Sequence, residues 1–171
     1  LLAGASAGVH WEHAPYYLRR LRIQEDHPLV AMCEQAGYSV EADCYSDRTA
    51  VISFPIAAAN IRRRKADVSV WEKVDLAMQM QRYWSDNQVS CTAEFDLRRE
   101  AGELPRVLSA YEDRLKVIGF LPAAEHGYEQ PPYEEITQDR YQELSENLRE
   151  LDGDLPHETE SACGCGENGA A

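Results

Sequence analysis

The sequence predicts an α/β fold. Between Ser69 and Pro122 the pattern runs helix, strand, helix, strand at the spacing of parallel α/β units. The run AVISFPI, Ala50 to Ile56, is short, apolar but for Ser53 and rich in strand formers, as a buried strand requires. A chain of 171 residues and 19.3 kDa is long enough for one domain with a sizeable core.

Each element has its own warrant. Residues 1–10, LLAGASAGVH, are small and apolar with Gly4 and Gly8, suiting a loop or short helix that lies close to other backbone. Pro15 marks a boundary, and YYLRRLRI, Tyr16 to Ile23, reads as a strand. Tyr17, Leu21 and Ile23 share one alternation and Tyr16 and Leu18 the other, with Arg19, Arg20 and Arg22 between them. His27 to Ala36 reads as a short helix, with Pro28 suited to its first turn and Gly37 to its stop. The apolar strand that follows is expected to end at Pro55, because proline cannot donate to a ladder.

Residues 57–66 form a basic linker, and the next helix has the clearest start in the chain, Ser69 followed by Glu72 at capping-box spacing. Val70, Val74, Ala77, Gln81 and Trp84 follow one stripe, widened by Trp71 and Met78, and the helix is expected to stop near Ser85. QVSCTAEF then alternates Val89, Cys91, Ala93 and Phe95 against Ser90, Thr92 and Glu94, a strand with one polar face. Glu103 to Leu115 is a second amphipathic helix, with Leu104, Val107, Leu108 and Tyr111 facing inward, and it leads into the apolar strand VIGFLP. EHGYEQPPYEEI reads as a loop and residues 137–149 as a polar helix. The division expected is a folded part, residues 1–150, and an acidic, Gly-rich flexible tail, residues 151–171, carrying Cys163 and Cys165.

Composition narrows the function classes. With 17 basic and 30 acidic side chains the formal charge is −13, which disfavours nucleic acid or an anionic membrane surface as a partner. No apolar run approaches the roughly 20 residues needed to cross a bilayer, and residues 1–10 lack the basic start of a signal peptide, so a cytoplasmic protein is expected. The sequence opens without Met inside an apolar run, as expected of a truncated, split or processed product. Five cysteines, an odd number spread over the chain, do not resemble a secreted disulfide framework.

Four segments carry a resemblance: LLAGASAGVHWEHAPYYLRRLRI, VISFPI, SVWEKVDLAMQMQRYWSDNQVSCTAEF and GYEQPPYEEIT. Together they resemble the C-terminal region of adenosylcobalamin-dependent (class II) ribonucleotide reductases, over residues 1 to about 141. The most specific match is the W-x-D-N-Q-x-S pattern, occupied here by Trp84, Asp86, Asn87, Gln88 and Ser90. The resemblance implies the C-terminal part of a ten-stranded α/β barrel, adenosylcobalamin as cofactor and a ribonucleoside di- or triphosphate as substrate. It also implies a thiyl-radical mechanism whose radical cysteine and phosphate loop lie upstream of Leu1, in the N-terminal remainder of the enzyme. Residues 1–8 would be the helix that the phosphate loop caps. Alone, the chain is expected to be inert.

The same resemblance implies roles for particular residues. VIGFLP falls where diiron-dependent relatives carry adjacent tyrosines for radical transfer; here Gly119 and Phe120 or their neighbours stand there, which favours local radical generation by cobalamin. Cys163 and Cys165 match in position the mobile tail cysteines that re-reduce the active site and are recycled by a thioredoxin-like partner. Their C-x-C spacing departs from the family's wider one and would close a small, strained ring.

Other readings stand beside these. A non-catalytic binding or regulatory module derived from the same fold is one alternative; a small zinc-binding protein using His10, His13, Cys163 and Cys165 is another. Asp86 and Asn87 either orient substrate or simply stop a helix. Cys91, like Cys33 and Cys44, reads as a small hydrophobe before a redox group. Arg62, Arg63, Arg64 and Lys65 read as a solvated charge run before a phosphate site. Tyr128 and Tyr133 either border a site or pin their loop.

Overall fold

The structure, a computed structural model, describes residues 7–58, 61–123 and 127–151. Its described part is a mixed α/β arrangement of two sheets and four α-helices. The first sheet is antiparallel, in the order β2-β3-β1-β6, with β1 Tyr16–Gln24, β2 Ser39–Ala42, β3 Thr49–Ala57 and β6 Tyr133–Glu135. The second is a parallel pair, β4 Thr92–Phe95 with β5 Gly119–Pro122.

The helix α1, Pro28–Gln35, closes one face of the first sheet. His27 caps its start by accepting a hydrogen bond from the Leu29 N–H through Nδ1 (3.1 Å), and Val30 and Cys33 meet Ala50, Ile52 and Phe54 of β3. Gly37 ends it at φ 91°, where an added Cβ would lie 3.0 Å from the Asn147 carbonyl oxygen. Both the backbone conformation and the close approach of chain therefore require glycine. The register pairs Leu21 with Ile52 and Ile23 with Ala50, so one alternation of β1 does face this core.

Three expectations about this half need correction. Pro55 does not end β3, which continues to Ala57 opposite Tyr16. The neighbour β2 pairs only as far as Ser53, so Pro55 lies beyond it, where a missing N–H is tolerated. The strand β2 itself went unread, because SVEA is exposed at three of four positions and has no apolar face to betray it. Within the EHGYEQPPYEEI segment, YEE forms β6, paired to Tyr17, Leu18 and Arg19 and held by tertiary contacts rather than by propensity.

The second half is a crossover from β4 through a helix, Leu104–Tyr111, to β5, packed under the helix Val70–Tyr83. Helix α2, Val70–Tyr83, starts where the capping box predicts: Ser69 Oγ accepts from the Glu72 N–H, and Glu72 Oε2 accepts from the Ser69 N–H. Val70 and Val74 of α2, Ala93 and Phe95 of β4 and Val107 of α3, Leu104–Tyr111, form a second core cluster. Cys91, Ala93 and Phe95 are buried and Thr92 exposed, as the alternation predicts, although the ladder begins at Thr92 rather than Gln88. Helix α3 is shorter than expected, ending at Tyr111 with residues 112–114 in turn. Leu108 is not inward but 48% exposed, because the pair β4–β5 is too narrow to cover a stripe wider than Leu104, Val107 and Tyr111. The parallel arrangement expected between Ser69 and Pro122 thus holds for β4 and β5, whereas the other described strands pair antiparallel. Helix α4, Gln138–Ser145, capped by Thr137, follows β6, and the Arg149 N–H donates to the Ala36 carbonyl (2.9 Å). No helix among the described residues is long and apolar enough to cross a membrane. The expected flexible tail with Cys163 and Cys165, and most of the expected helix at residues 1–8, lie outside the described residues.

Candidate functional site

The most specific sequence pattern occupies the junction between α2 and β4. The helix stops as the Trp84 backbone leaves helical space (φ −126°, ψ −48°), and the Trp84 and Ser85 N–H groups both donate to the Met80 carbonyl (3.0 and 2.9 Å). Gln81 then organises the loop. Its Nε2 donates to the Ser85 and Asn87 carbonyls (2.9 and 2.6 Å), and its Oε1 accepts from the Val89 N–H (3.3 Å). Ser85 Oγ donates to the Asn87 carbonyl (3.0 Å) and Lys116 Nζ to that of Asp86. The main chain of the loop is thereby held, whereas the Asp86 and Asn87 side chains are exposed and make no hydrogen bond among the described residues. Two adjacent side chains, one carboxylate and one amide, on a loop with a bound backbone can accept and donate to a polar ligand. Beside them Trp84 is 87% exposed and Tyr83 75%.

A second polar group lies behind β4. Lys73, on the apolar stripe of α2, is 4% exposed and donates from Nζ to the Glu94 carbonyl (2.7 Å). Burial pushes its pKa down, with Glu100 and Glu94 opposing. Glu100 accepts from the Val70 N–H (2.9 Å) and the Asp96 N–H (2.8 Å), tying the start of α2 to the end of β4. Lys65 pairs with the Glu94 carboxylate. Sequence reasoning missed Lys73, Glu94 and Glu100 as a group. The available signal was a lysine three residues after Val70 and four before Ala77, on the buried stripe.

Other sequence candidates are placed less suggestively. Cys91 is buried, its thiol donating to the Val9 carbonyl (3.8 Å), and burial pushes its pKa up; burial does the same to Cys33. Neither thiol is poised as a thiolate. Cys44 is exposed, and these three cysteines, those among the described residues, are free. His13 packs against Tyr17 and Tyr133 (centroids 6.2 and 5.8 Å apart), and burial, then Lys65, lowers its pKa. His10 lies in a 3-10 turn, Gly8–His10. Among the described residues no group of three His, Cys, Asp or Glu could hold a metal ion, and the tail cysteines of the zinc reading lie outside them.

Three of the four residues of the basic run are engaged internally, and Arg62 is exposed. Arg63 clasps Glu72 (2.7 and 2.9 Å), Arg64 reaches Asp67 and Glu135, and Lys65 reaches Glu94. The Arg63 bond is the leading reason the Glu72 carboxyl is held down at about 2. Tyr133 lies under the Arg19 guanidinium (4.3 Å), and Tyr128 meets Tyr45 edge-on (6.4 Å). Gly119 is exposed at the start of β5, and Phe120 packs on the second core cluster. Among the described residues, two of the surface grooves lie beside these elements. One of about 220 Å³ is lined by Val107, Leu108, Leu115 and Val117; the other, of about 330 Å³, lies along α2 beside Trp11, Trp71, Asp75 and Tyr111.

No family model matches the sequence. An adenosylcobalamin-dependent ribonucleoside-triphosphate reductase of Euglena gracilis is 45% identical over 152 residues, 88% of this chain and 21% of that protein. A probable adenosylcobalamin-dependent ribonucleoside-triphosphate reductase of Dictyostelium discoideum is 39% identical over 155 residues, 89% of this chain and 20% of that protein. The adenosylcobalamin-dependent ribonucleoside-triphosphate reductase of Lacticaseibacillus paracasei is 36% identical over 146 residues, 83% of this chain and 19% of that protein. A crystal structure of a B12-dependent (class II) ribonucleotide reductase superposes with a TM-score of 0.70 at 31% identity, over 88% of this chain and 21% of that one. The chain spans about a fifth of the length of the curated relatives it matches.

Proposed function

This chain is homologous, over most of its length, to a portion of the adenosylcobalamin-dependent (class II) ribonucleotide reductases, and we propose that it forms the C-terminal part of such an enzyme. In this reading it supplies the last strands of a ten-stranded α/β barrel to the reduction of ribonucleoside di- or triphosphates by a thiyl radical. The observation that carries the proposal is homology continuous across the fold: 88% of the chain aligns in sequence with one relative and 88% aligns in space with a class II reductase. The parallel pair β4–β5 adds support, since it is a unit of the kind such barrels repeat.

The division of labour follows from what the chain holds. Asp86 and Asn87 are the substrate-side groups, offered on a loop whose backbone Gln81 and Lys116 hold. Cys91, buried and protonated, takes no part in the redox chemistry. Cys163 and Cys165 form the redox tail, recycled by a thioredoxin-like reductant. Adenosylcobalamin, when bound to the assembled enzyme, supplies the radical. The described grooves, about 220 and 330 Å³, are at or below the lower end of the roughly 300–1,000 Å³ usual for ligand sites and offer no cradle for a corrin.

The chain alone is expected to show no cobalamin-dependent ribonucleotide reduction, and activity is expected when it replaces the matching fifth of the Euglena gracilis reductase. Turnover by the isolated chain would sink the division of labour. A folded but inactive chimera would favour the alternative, a non-catalytic module derived from the same fold.

A further inference from the structure

The loop between α2 and β4 is held by more bonds than its surroundings demand. Gln81 Nε2 donates to the Ser85 and Asn87 carbonyls (2.9 and 2.6 Å), and its Oε1 accepts from the Val89 N–H (3.3 Å). Ser85 Oγ donates to the Asn87 carbonyl (3.0 Å), and Lys116 Nζ reaches the Asp86 carbonyl from the segment before β5. Asp86, Asn87 and Lys116 are themselves exposed. Water serves an exposed carbonyl nearly as well as a side chain does, so burial does not call for these partners. Their effect is to fix the conformation of the chain.

All of these bonds end on main-chain atoms, and none ends on the side chain of Asp86 or Asn87. An exposed loop samples many conformations, and each residue that a ligand must order weakens its binding. Here the ordering is done within the chain, and a carboxylate and a primary amide are left free side by side. Gln81 is suited to the task because an amide carries donors and an acceptor at the end of one side chain. Glutamate there would keep the acceptor for the Val89 N–H and lose the donors to both carbonyls; methionine would lose all three bonds.

We propose that Gln81 is a positioning residue for the substrate: it sets the directions in which Asp86 and Asn87 meet the ribonucleotide, and Lys116 braces the same loop from the β5 side. The inference rests on the reading of Asp86 and Asn87 as substrate-side groups and deepens it. The residue that decides their geometry lies in α2, touches no substrate and acts only through them.

The test uses the Euglena gracilis reductase with its matching fifth replaced by this chain, and reads KM and kcat for a ribonucleoside triphosphate. Gln81→Met should raise KM roughly ten-fold and change kcat less than about two-fold, since what it removes is binding geometry. A variant that merely unfolded a share of the molecules would lower kcat and leave KM alone. Lys116→Met should raise KM roughly three-fold. In the Asp86→Ala/Asn87→Ala background nothing is left to position, so Gln81→Met should add no further rise. An unchanged KM in Gln81→Met beside a raised one in the double alanine variant overturns the proposal, as does an equal rise in both backgrounds. A double alanine variant with the parent's KM overturns the substrate-side reading itself, and the proposal with it. If the chimera does not turn over, the dissociation constant of the nucleotide, measured by equilibrium dialysis, is compared through the same variants. Should the chimera fail to fold, exchange of the Val89 amide in the 171-residue chain decides: Gln81→Met must accelerate it, and an unchanged rate overturns the proposal.

Discussion

Lys73 and Tyr17 are the buried side chains whose ionisation is most clearly tied to folding. For Lys73 burial dominates and lowers the pKa from its usual 10.5, so the folded chain binds fewer protons than the unfolded one just below that value. Stability must therefore rise with pH as 10.5 is approached, and Lys73→Met should remove this rise. Denaturant midpoints measured in the wild type and variant between neutral pH and that value check it. Tyr17 has the opposite sign. It is 8% exposed and its hydroxyl donates to Glu12 Oε2 (3.4 Å). Burial, followed by the charge of Glu12, raises its pKa from 10.0 to about 12. Its contribution is fully present below pH 10 and is lost as pH rises through that window. Tyr17→Phe should lose less stability than wild type across it, by on the order of 2 kcal/mol. Equal losses in the two proteins would place the alkaline sensitivity elsewhere.

The strand β6 and the turn before it depend on arginines of β1 rather than on their own sequence. Arg20 Nη1 donates to the Pro131 carbonyl (3.0 Å), its other nitrogen reaches Glu134, and its N–H donates to the Pro132 carbonyl (2.9 Å). Arg22 Nη2 reaches the Gln130 carbonyl (2.7 Å) while its Nε pairs with the buried Asp43 (3.2 Å), and Arg19 reaches the Pro132 carbonyl (3.3 Å). Three guanidinium groups thus satisfy the carbonyls of a segment whose two prolines, Pro131 and Pro132, offer no N–H of their own. Hydrogen bonds to charged groups are worth about 1.5–3 kcal/mol each. Arg20→Met should therefore speed exchange of the Ile136 amide, which donates to the Tyr16 carbonyl, by roughly ten-fold or more. The Tyr38 amide at the end of α1, bonded to the Cys33 carbonyl, should be unaffected. Equal acceleration of both would mean that Arg20 supports the whole sheet.

Among the described residues there are two buried clusters, one around Ile52 between α1 and the antiparallel sheet and one around Val74 between α2, α3 and the parallel pair. The two clusters share no residue, so the halves should respond independently to loss of core volume. Ile52→Ala should cost about 3 kcal/mol and Val74→Ala about 2 kcal/mol. The double variant should match their sum to within about 0.5 kcal/mol. A larger coupling energy would show that the halves form one cooperative core. The same two-part build suits a chain homologous to about a fifth of a larger enzyme, with its parallel pair too narrow to cover Leu108.

What the sequence determined by itself was local or periodic. Ser69 and Glu72 start α2 because a capping box is closed within four residues, and Gly37 stops α1 because only glycine suits its backbone there. Cys91, Ala93 and Phe95 are buried because alternation is a property of any extended chain with one face covered. The W-S-D-N-Q-V-S pattern and its flanks carry the resemblance to class II ribonucleotide reductases in the sequence itself, because they combine side chains that no secondary structure demands together. Tertiary structure alone decided the antiparallel sheet. Strands β2 and β6 have no apolar periodicity, and their backbone bonds go to β3 and to β1, the latter more than a hundred residues away in sequence. It also decided the fate of the charges. Lys73 is buried because the Glu94 carbonyl waits there, and residues 63–65 of the basic run, legible only as a surface, close onto Glu72, Asp67, Glu135 and Glu94. A charged side chain's partner is set by distances in space, and a single sequence records only distances along the chain.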